Sequence, residues 1–212
     1  MGSLGKGTEP SLRIIMVVGA GGTDTFAANF AEAAKRWEEA AQLGGAAFTG
    51  IGTDKTEDVA LSDRERLQKA IETATEPELW IVLVGHGTFD SRTVKFNLQG
   101  PDFTDQELAE WVQVYPGELA VINTASSSGS FIRTLSAPNR VIFTATKNEA
   151  EVFYTRFGNY FSQAIVGLKD ADLDNDDQVS LLESFLYASH ETARFYEEAG
   201  RLATEHALLD DN

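Results

Sequence analysis

The chain has 212 residues, 42% hydrophobic and 24% charged, the balance of a folded protein with enough length to bury a core. A net charge of −16 argues against partners built on phosphate backbones or anionic lipid. The absence of cysteine excludes disulfides, thiolate metal sites and a cysteine nucleophile.

The opening residues MGSLGKGTEP lack the apolar core of a signal peptide. Residues 1–10 therefore read as a leader, and 11–212 as one domain. Residues 12–18 (LRIIMVV) are a continuous apolar run, predicted to be a buried strand that ends at Gly19-Ala20-Gly21-Gly22. Residues 26–42 carry apolar side chains at helical spacing and stop at Gly44-Gly45. A short second strand is predicted over 46–51. Ser62, with Glu65 three residues on, forms a capping-box pattern and starts a helix to about 75. Residues 79–84 (LWIVLV) form a second unbroken apolar strand, ended by Gly85-His86-Gly87. Thr104 and Glu107 repeat the capping pattern for a short helix. A strand at 118–122 runs into a small polar turn over 123–129, and another strand follows at 141–145. Helices are predicted over 153–168 and 180–207, separated by an acidic loop.

Strands that are apolar throughout, alternating with helices, imply an α/β fold with a mostly parallel sheet and helices on both faces. No apolar run approaches the roughly 20 residues that cross a bilayer, so no membrane span is expected. In such sheets, ligands gather beyond the carboxyl ends of the strands.

Two segments sit at such ends. Gly85-His86-Gly87 puts an imidazole where the sheet opens to solvent, suited to acid or base chemistry near neutral pH. An isolated histidine there also reads as a simple strand cap. Ala125-Ser126-Ser127-Ser128-Gly129-Ser130 follows the strand at 118–122, a turn able to present a side chain and free backbone N–H groups. Taken alone, it reads better as a serine-rich turn with N-capping hydroxyls, which is far commoner.

Together, the two segments resemble the layout of caspase-like cysteine peptidases, a strand ending in His-Gly followed about forty residues later by a nucleophile turn. The turn Thr124-Ala125-Ser126-Ser127-Ser128-Gly129-Ser130 is similar to the Glu-Ala-Cys-x-Ser-Gly-Ser of the legumain branch. Gly85-His86-Gly87, Phe96-Asn97, Gly100-Pro101-Asp102 and the segment 204–212 (TEHALLDDN) resemble bacterial legumain-like proteins in particular. The resemblance covers most of the chain and implies a caspase-like three-layer sandwich. It implies that His86 matches the catalytic histidine, that Ser126 stands at the nucleophile, and that Gly87 and Ser126 supply the N–H groups of the oxyanion hole. It also implies a peptide or protein segment as the partner in the cleft.

Two departures matter: Thr124 replaces Gln or Glu, and Ser126 replaces Cys. A thiol is partly ionised at neutral pH, whereas a serine needs a base in direct hydrogen-bond contact. In the family's geometry the histidine and the nucleophile flank the scissile bond without such a contact. The expectation is a catalytically silent peptidase homologue that retains a peptide cleft. The alternatives are a protein-binding module using the same cleft, an active Ser–His hydrolase, or an active cysteine peptidase in which the cysteine has been exchanged for serine.

The acid is concentrated late: from Asp170 onward, twelve carboxylates face two arginines, −10 of the net −16. Within it, residues 172–183 (DLDNDDQVSLLE) follow the spacing of an EF-hand-type calcium loop. Asp172, Asp174, Asp176, the backbone carbonyl of Gln178, and Glu183 are the candidate ligands, and calcium is the expected ion. Asp177 occupies the position where glycine normally makes the sharp turn, and Asp tolerates a left-handed backbone better than most residues. An acidic loop that merely caps the last helix is the alternative. Gly19 and Gly21 match two glycines of a dinucleotide fingerprint, but Asp24 fills the third position and would repel a pyrophosphate. His190 and His206 are expected on the last helix as packing or surface residues. Arg133 and Lys147 are read as pocket or surface cations. The end at Asp210-Asp211-Asn212 suggests a longer protein.

Overall fold

The structure is a computed structural model and describes residues 10–53 and 60–212. The predicted leader lies outside the described residues except for its last residue, Pro10.

The long apolar runs form the centre of a six-stranded sheet. These are β1 (Leu12–Val18), β3 (Glu78–Val84) and β7 (Glu118–Asn123). β2 (Ala47–Ile51) flanks them on one side, and β8 (Arg140–Thr144) then β9 (Leu208–Asp211) on the other. The strand order is β2-β1-β3-β7-β8-β9. Every pairing is parallel except β8 with β9.

Side chains alternate across the sheet and bury two cores, as a period of two requires. On one face Ile15, Val17, Ile81, Leu83 and Val121 pack under α2 (Asp63–Glu72), α3 (Asp105–Val112) and α4 (Ser130–Leu135). On the other, Ile14, Met16, Val82, Ile122 and Phe143 pack under α1 (Asp24–Leu43), α5 (Phe157–Ile165) and α6 (Leu181–Glu198). The result is the expected three layers, with helices on both faces of a mostly parallel sheet. Among the described residues no helix is long and apolar enough to cross a membrane.

Both predicted capping boxes form, at Ser62/Glu65 and Thr104/Glu107, and a third forms at Ser180/Glu183. The helix expected over 180–207 stops at Glu198. Gly200 adopts φ +61. Its N–H reaches Glu197 O, and the Arg201 N–H reaches Tyr196 O, the paired bonds of a glycine-terminated helix. The chain then turns back into β9, antiparallel to β8. The helix expected over 153–168 is only 157–165, with Arg156 as its N-cap and residues 153–155 outside any helix. A small antiparallel sheet was not expected. It is built from β4 (Gly87–Phe89), β5 (Val94–Phe96) and β6 (Phe103–Thr104).

The parallel register brings two strand ends level. Leu83 pairs with Asn123 across β3 and β7. His86 and Ser126 each lie three residues beyond that rung, on the same rim of the molecule.

Candidate functional site

Ser126 is 3% exposed, and its hydroxyl is held by one residue. It accepts from the Gly87 N–H at 3.1 Å and donates to the Gly87 carbonyl at 3.0 Å. A Cβ at Gly87 would stand 2.1 Å from the Ser126 carbonyl oxygen, which explains why the residue after His86 is glycine. The Ser126 backbone N–H has no acceptor among the described residues. Gly87 and Ser126, the two residues expected to supply oxyanion N–H groups, are thus in contact, and the Gly87 N–H is occupied by the Ser126 hydroxyl.

His86 is half-buried and turned toward α1. Its ring packs edge-on against Phe26, Phe30 and Tyr154, with centroids 4.9, 5.1 and 6.3 Å away. No hydrogen bond joins its imidazole to Ser126 among the described residues. Its carbonyl accepts from the Asn97 N–H at 3.0 Å, tying the strand end to the small antiparallel sheet. Burial pushes the Tyr154 phenol up, against the Asn29 hydrogen bond that lowers it.

The turn after β7 is fixed by residues that carry no signal of their own in the sequence. Thr146, fully buried, accepts from the Gly129 N–H at 3.0 Å and pairs its hydroxyl with Ser128 at 3.2 Å. A Cβ on Gly129 would meet Asn148 N at 2.3 Å. Ser127 adopts φ +57 and donates its N–H to Glu151 O at 2.8 Å. Thr155 donates its hydroxyl to Thr124 O at 2.5 Å. Residues 151–155 thus run along the turn from Ser127 to Thr124, and Tyr154 reaches His86. Val152 and Phe153, between those anchors, are 51% and 64% exposed.

Thr124 faces inward, its hydroxyl donating to Leu83 O at 2.8 Å. Beside it lies a recess lined by neutral residues, among them Asn29, Phe30, Tyr154 and Asn159. At about 20 Å³ it has room for about one water. A larger recess of about 320 Å³ lies at the opposite end of the strands, between Pro77, Glu78, Pro116 and Glu118.

The glycines after β1 have packing reasons. A Cβ on Gly19 would meet Asn97 O at 2.4 Å, and one on Gly21 would meet Ala27 N at 2.8 Å. Arg133 pairs with Glu149 at 3.1 Å, and Lys147 with Glu151 at 3.6 Å. His190 is exposed on α6 beside Glu191. His206 is not helical. It lies before β9 and shares a 2.5 Å hydrogen bond with Glu151.

In the acidic loop, carboxylate oxygens of Asp172, Asp174 and Asp176 lie within 4.8 Å of one another. Asp177 adopts a left-handed backbone with φ +64. Gln178 gives its N–H to Asp176 at 2.8 Å. Glu183 stands apart from the three aspartates. One oxygen accepts from the Leu173 N–H at 2.8 Å, and the other from the Ser180 N–H at 2.8 Å. These N–H groups and the Ser180 hydroxyl hold its carboxyl down at about 2, against an ordinary 4.5. Its stabilising contribution is therefore present above pH 4.5 and lost as pH falls toward 2. Unfolding midpoints across that window should fall more steeply for the unaltered chain than for Glu183→Gln.

No protein-family model matches the sequence, and no curated protein matches it. Among solved structures, the chain is similar to the Drosophila initiator caspase Dronc. The TM-score is 0.50 at 11% identity, covering 94% of this chain and 79% of that one. The fold is a caspase-like α/β sandwich.

Proposed function

We propose that this protein is a legumain-like peptidase homologue, catalytically silent, that holds a peptide or protein segment in the cleft between His86 and Ser126. The observation that carries the proposal is the Ser126 hydroxyl bonded at both ends to Gly87, at 3.1 and 3.0 Å, with no hydrogen bond to the His86 imidazole among the described residues. A serine becomes a nucleophile when a base takes its proton, and here the proton goes to a backbone carbonyl. The surrounding apparatus persists: an unpartnered Ser126 N–H, the Gly87 N–H, and an imidazole on the same rim. Val152 and Phe153 supply exposed apolar surface beside it, suited to an extended peptide with apolar side chains.

The test pairs binding with turnover on a library of fluorogenic peptides. Saturable binding without cleavage is expected. Cleavage abolished by Ser126→Ala would overturn the silent reading in favour of an active Ser–His hydrolase. Neither binding nor cleavage would overturn the cleft itself.

We also propose calcium at Asp172, Asp174, Asp176 and the Gln178 carbonyl, with Glu183 turning from the Leu173 N–H to complete the set. Three convergent carboxylates and the left-handed Asp177 favour this over a purely capping loop. Calcium should raise the unfolding midpoint of the unaltered chain and leave that of Asp174→Ala unmoved; equal responses would contradict it.

A further inference from the structure

The Glu151 carboxylate is only 12% exposed and collects donors from two distant parts of the chain. One oxygen accepts from the Lys147 N–H and the His206 N–H, each at 3.1 Å. The other meets the His206 ring at 2.5 Å and Lys147 Nζ at 3.6 Å. A mostly covered carboxylate with this many donors is strongly located, because charge-assisted bonds are the stronger ones. The same residue's carbonyl accepts from Ser127, the left-handed residue next to Ser126.

His206 enters from the segment that leads into β9. It is joined to α6 by residues 199–205, of which 199–203 are exposed, with Leu202 at 91%. Its neighbour Glu205 is 2% exposed and turns the other way. Glu205 accepts from the Arg156 and Phe157 N–H groups at the start of α5, between 2.8 and 3.0 Å. Two consecutive residues thus pin both ends of the stretch 151–157 that borders the cleft.

We propose that Glu151 and His206 are positioning residues of the Ser126 turn. Their clasp transmits the docking of the C-terminal segment through Glu151 O to the Ser127 N–H. Neither side chain reaches Ser126, so both act through the backbone. The relevance to peptide binding rests on the proposed cleft, but the clasp does not, and it is tested without any peptide.

The measurement is amide hydrogen exchange at Ser127, with Val82 in the centre of the sheet as the reference for global stability. Side-chain changes at 151 leave the carbonyl acceptor in place, so any change at Ser127 reports position. Glu151→Ala and His206→Ala should each speed exchange at Ser127 about tenfold relative to Val82. Glu151→Gln, which keeps an acceptor oxygen for the Lys147 and His206 N–H groups, should restore most of the protection. If Glu151→Ala fails to fold, His206→Ala decides alone, since His206 is 45% exposed. Ser127 exchange that is unchanged, or that only follows Val82, would overturn the proposal. Failure of the cleft reading would appear instead as absent peptide binding with Ser127 exchange still governed by the clasp.

Discussion

Ser126→Cys is expected to turn a chain proposed to be silent into one that cleaves peptides, with turnover about a hundredfold or more above the unaltered protein. The reason is chemical rather than structural. A thiol ionises far more readily than an alcohol and does not need a base in contact. His86 and Ser126 leave adjacent strands at equal distances from the Leu83–Asn123 rung, so a thiolate at 126 would share its rim with an imidazole. It would also find two N–H donors, from Gly87 and from residue 126 itself, available to a developing oxyanion once the hydroxyl's grip on Gly87 is released. The change is best read with an acyl or chloromethyl-ketone peptide probe, which separates bond formation at residue 126 from background hydrolysis. A folded Ser126→Cys chain that neither cleaves nor is modified would mean that His86 cannot serve a nucleophile here, and that the cleft only binds.

Gly87→Ala should have the largest effect in the opposite direction. The added methyl meets backbone, with Ser126 O at 2.1 Å and Lys95 O at 3.3 Å, so no flexible side chain can swing away. One of the two strand ends must move, and the Ser126 hydroxyl then loses its donor and its acceptor together. Overpacking of this kind costs about 1–3 kcal/mol, and leaving polar groups unpaired adds a similar amount. The expected result is a lower unfolding midpoint and peptide binding weakened at least about tenfold. Gly44→Ala is the control. Gly44 has a right-handed φ of −80°, and a Cβ there meets only Ala40 O at an ordinary 3.4 Å. Equal losses in the two variants would remove the argument from close approach.

The parts of the site that the sequence could show are those where local chemistry and position coincide. LWIVLV must be buried on both faces, and a strand of that kind has to end where Gly85-His86-Gly87 begins. The serine-rich turn follows ELAVI for the same reason, and a parallel register then places both at one rim. The supports of that turn come from elsewhere in the chain. His206 meets Glu151 across 55 residues, and Thr146 meets Ser128 across 18, with nothing local to announce either pairing. β9 was hidden because LLDD has neither the length nor the apolar content of a buried strand. It exists as an edge because β8 offers it a backbone partner. The sequence did carry one usable signal there. Gly200 after Glu-Glu-Ala is a helix stop, and reading it as such frees 201–212 to fold back. The spacing of the acidic loop is entirely local, and there Asp172, Asp174 and Asp176 converge while Asp177 takes a left-handed backbone.

A fluorophosphonate probe tests the silence of Ser126 most directly, because it labels serines whose proton a neighbouring base can remove. With the hydroxyl bonded to Gly87 on both sides, intact-mass analysis should show no adduct on the folded chain after prolonged exposure. A single stoichiometric adduct mapped to Ser126, and lost in His86→Ala, would show a working imidazole–serine pair and contradict the account.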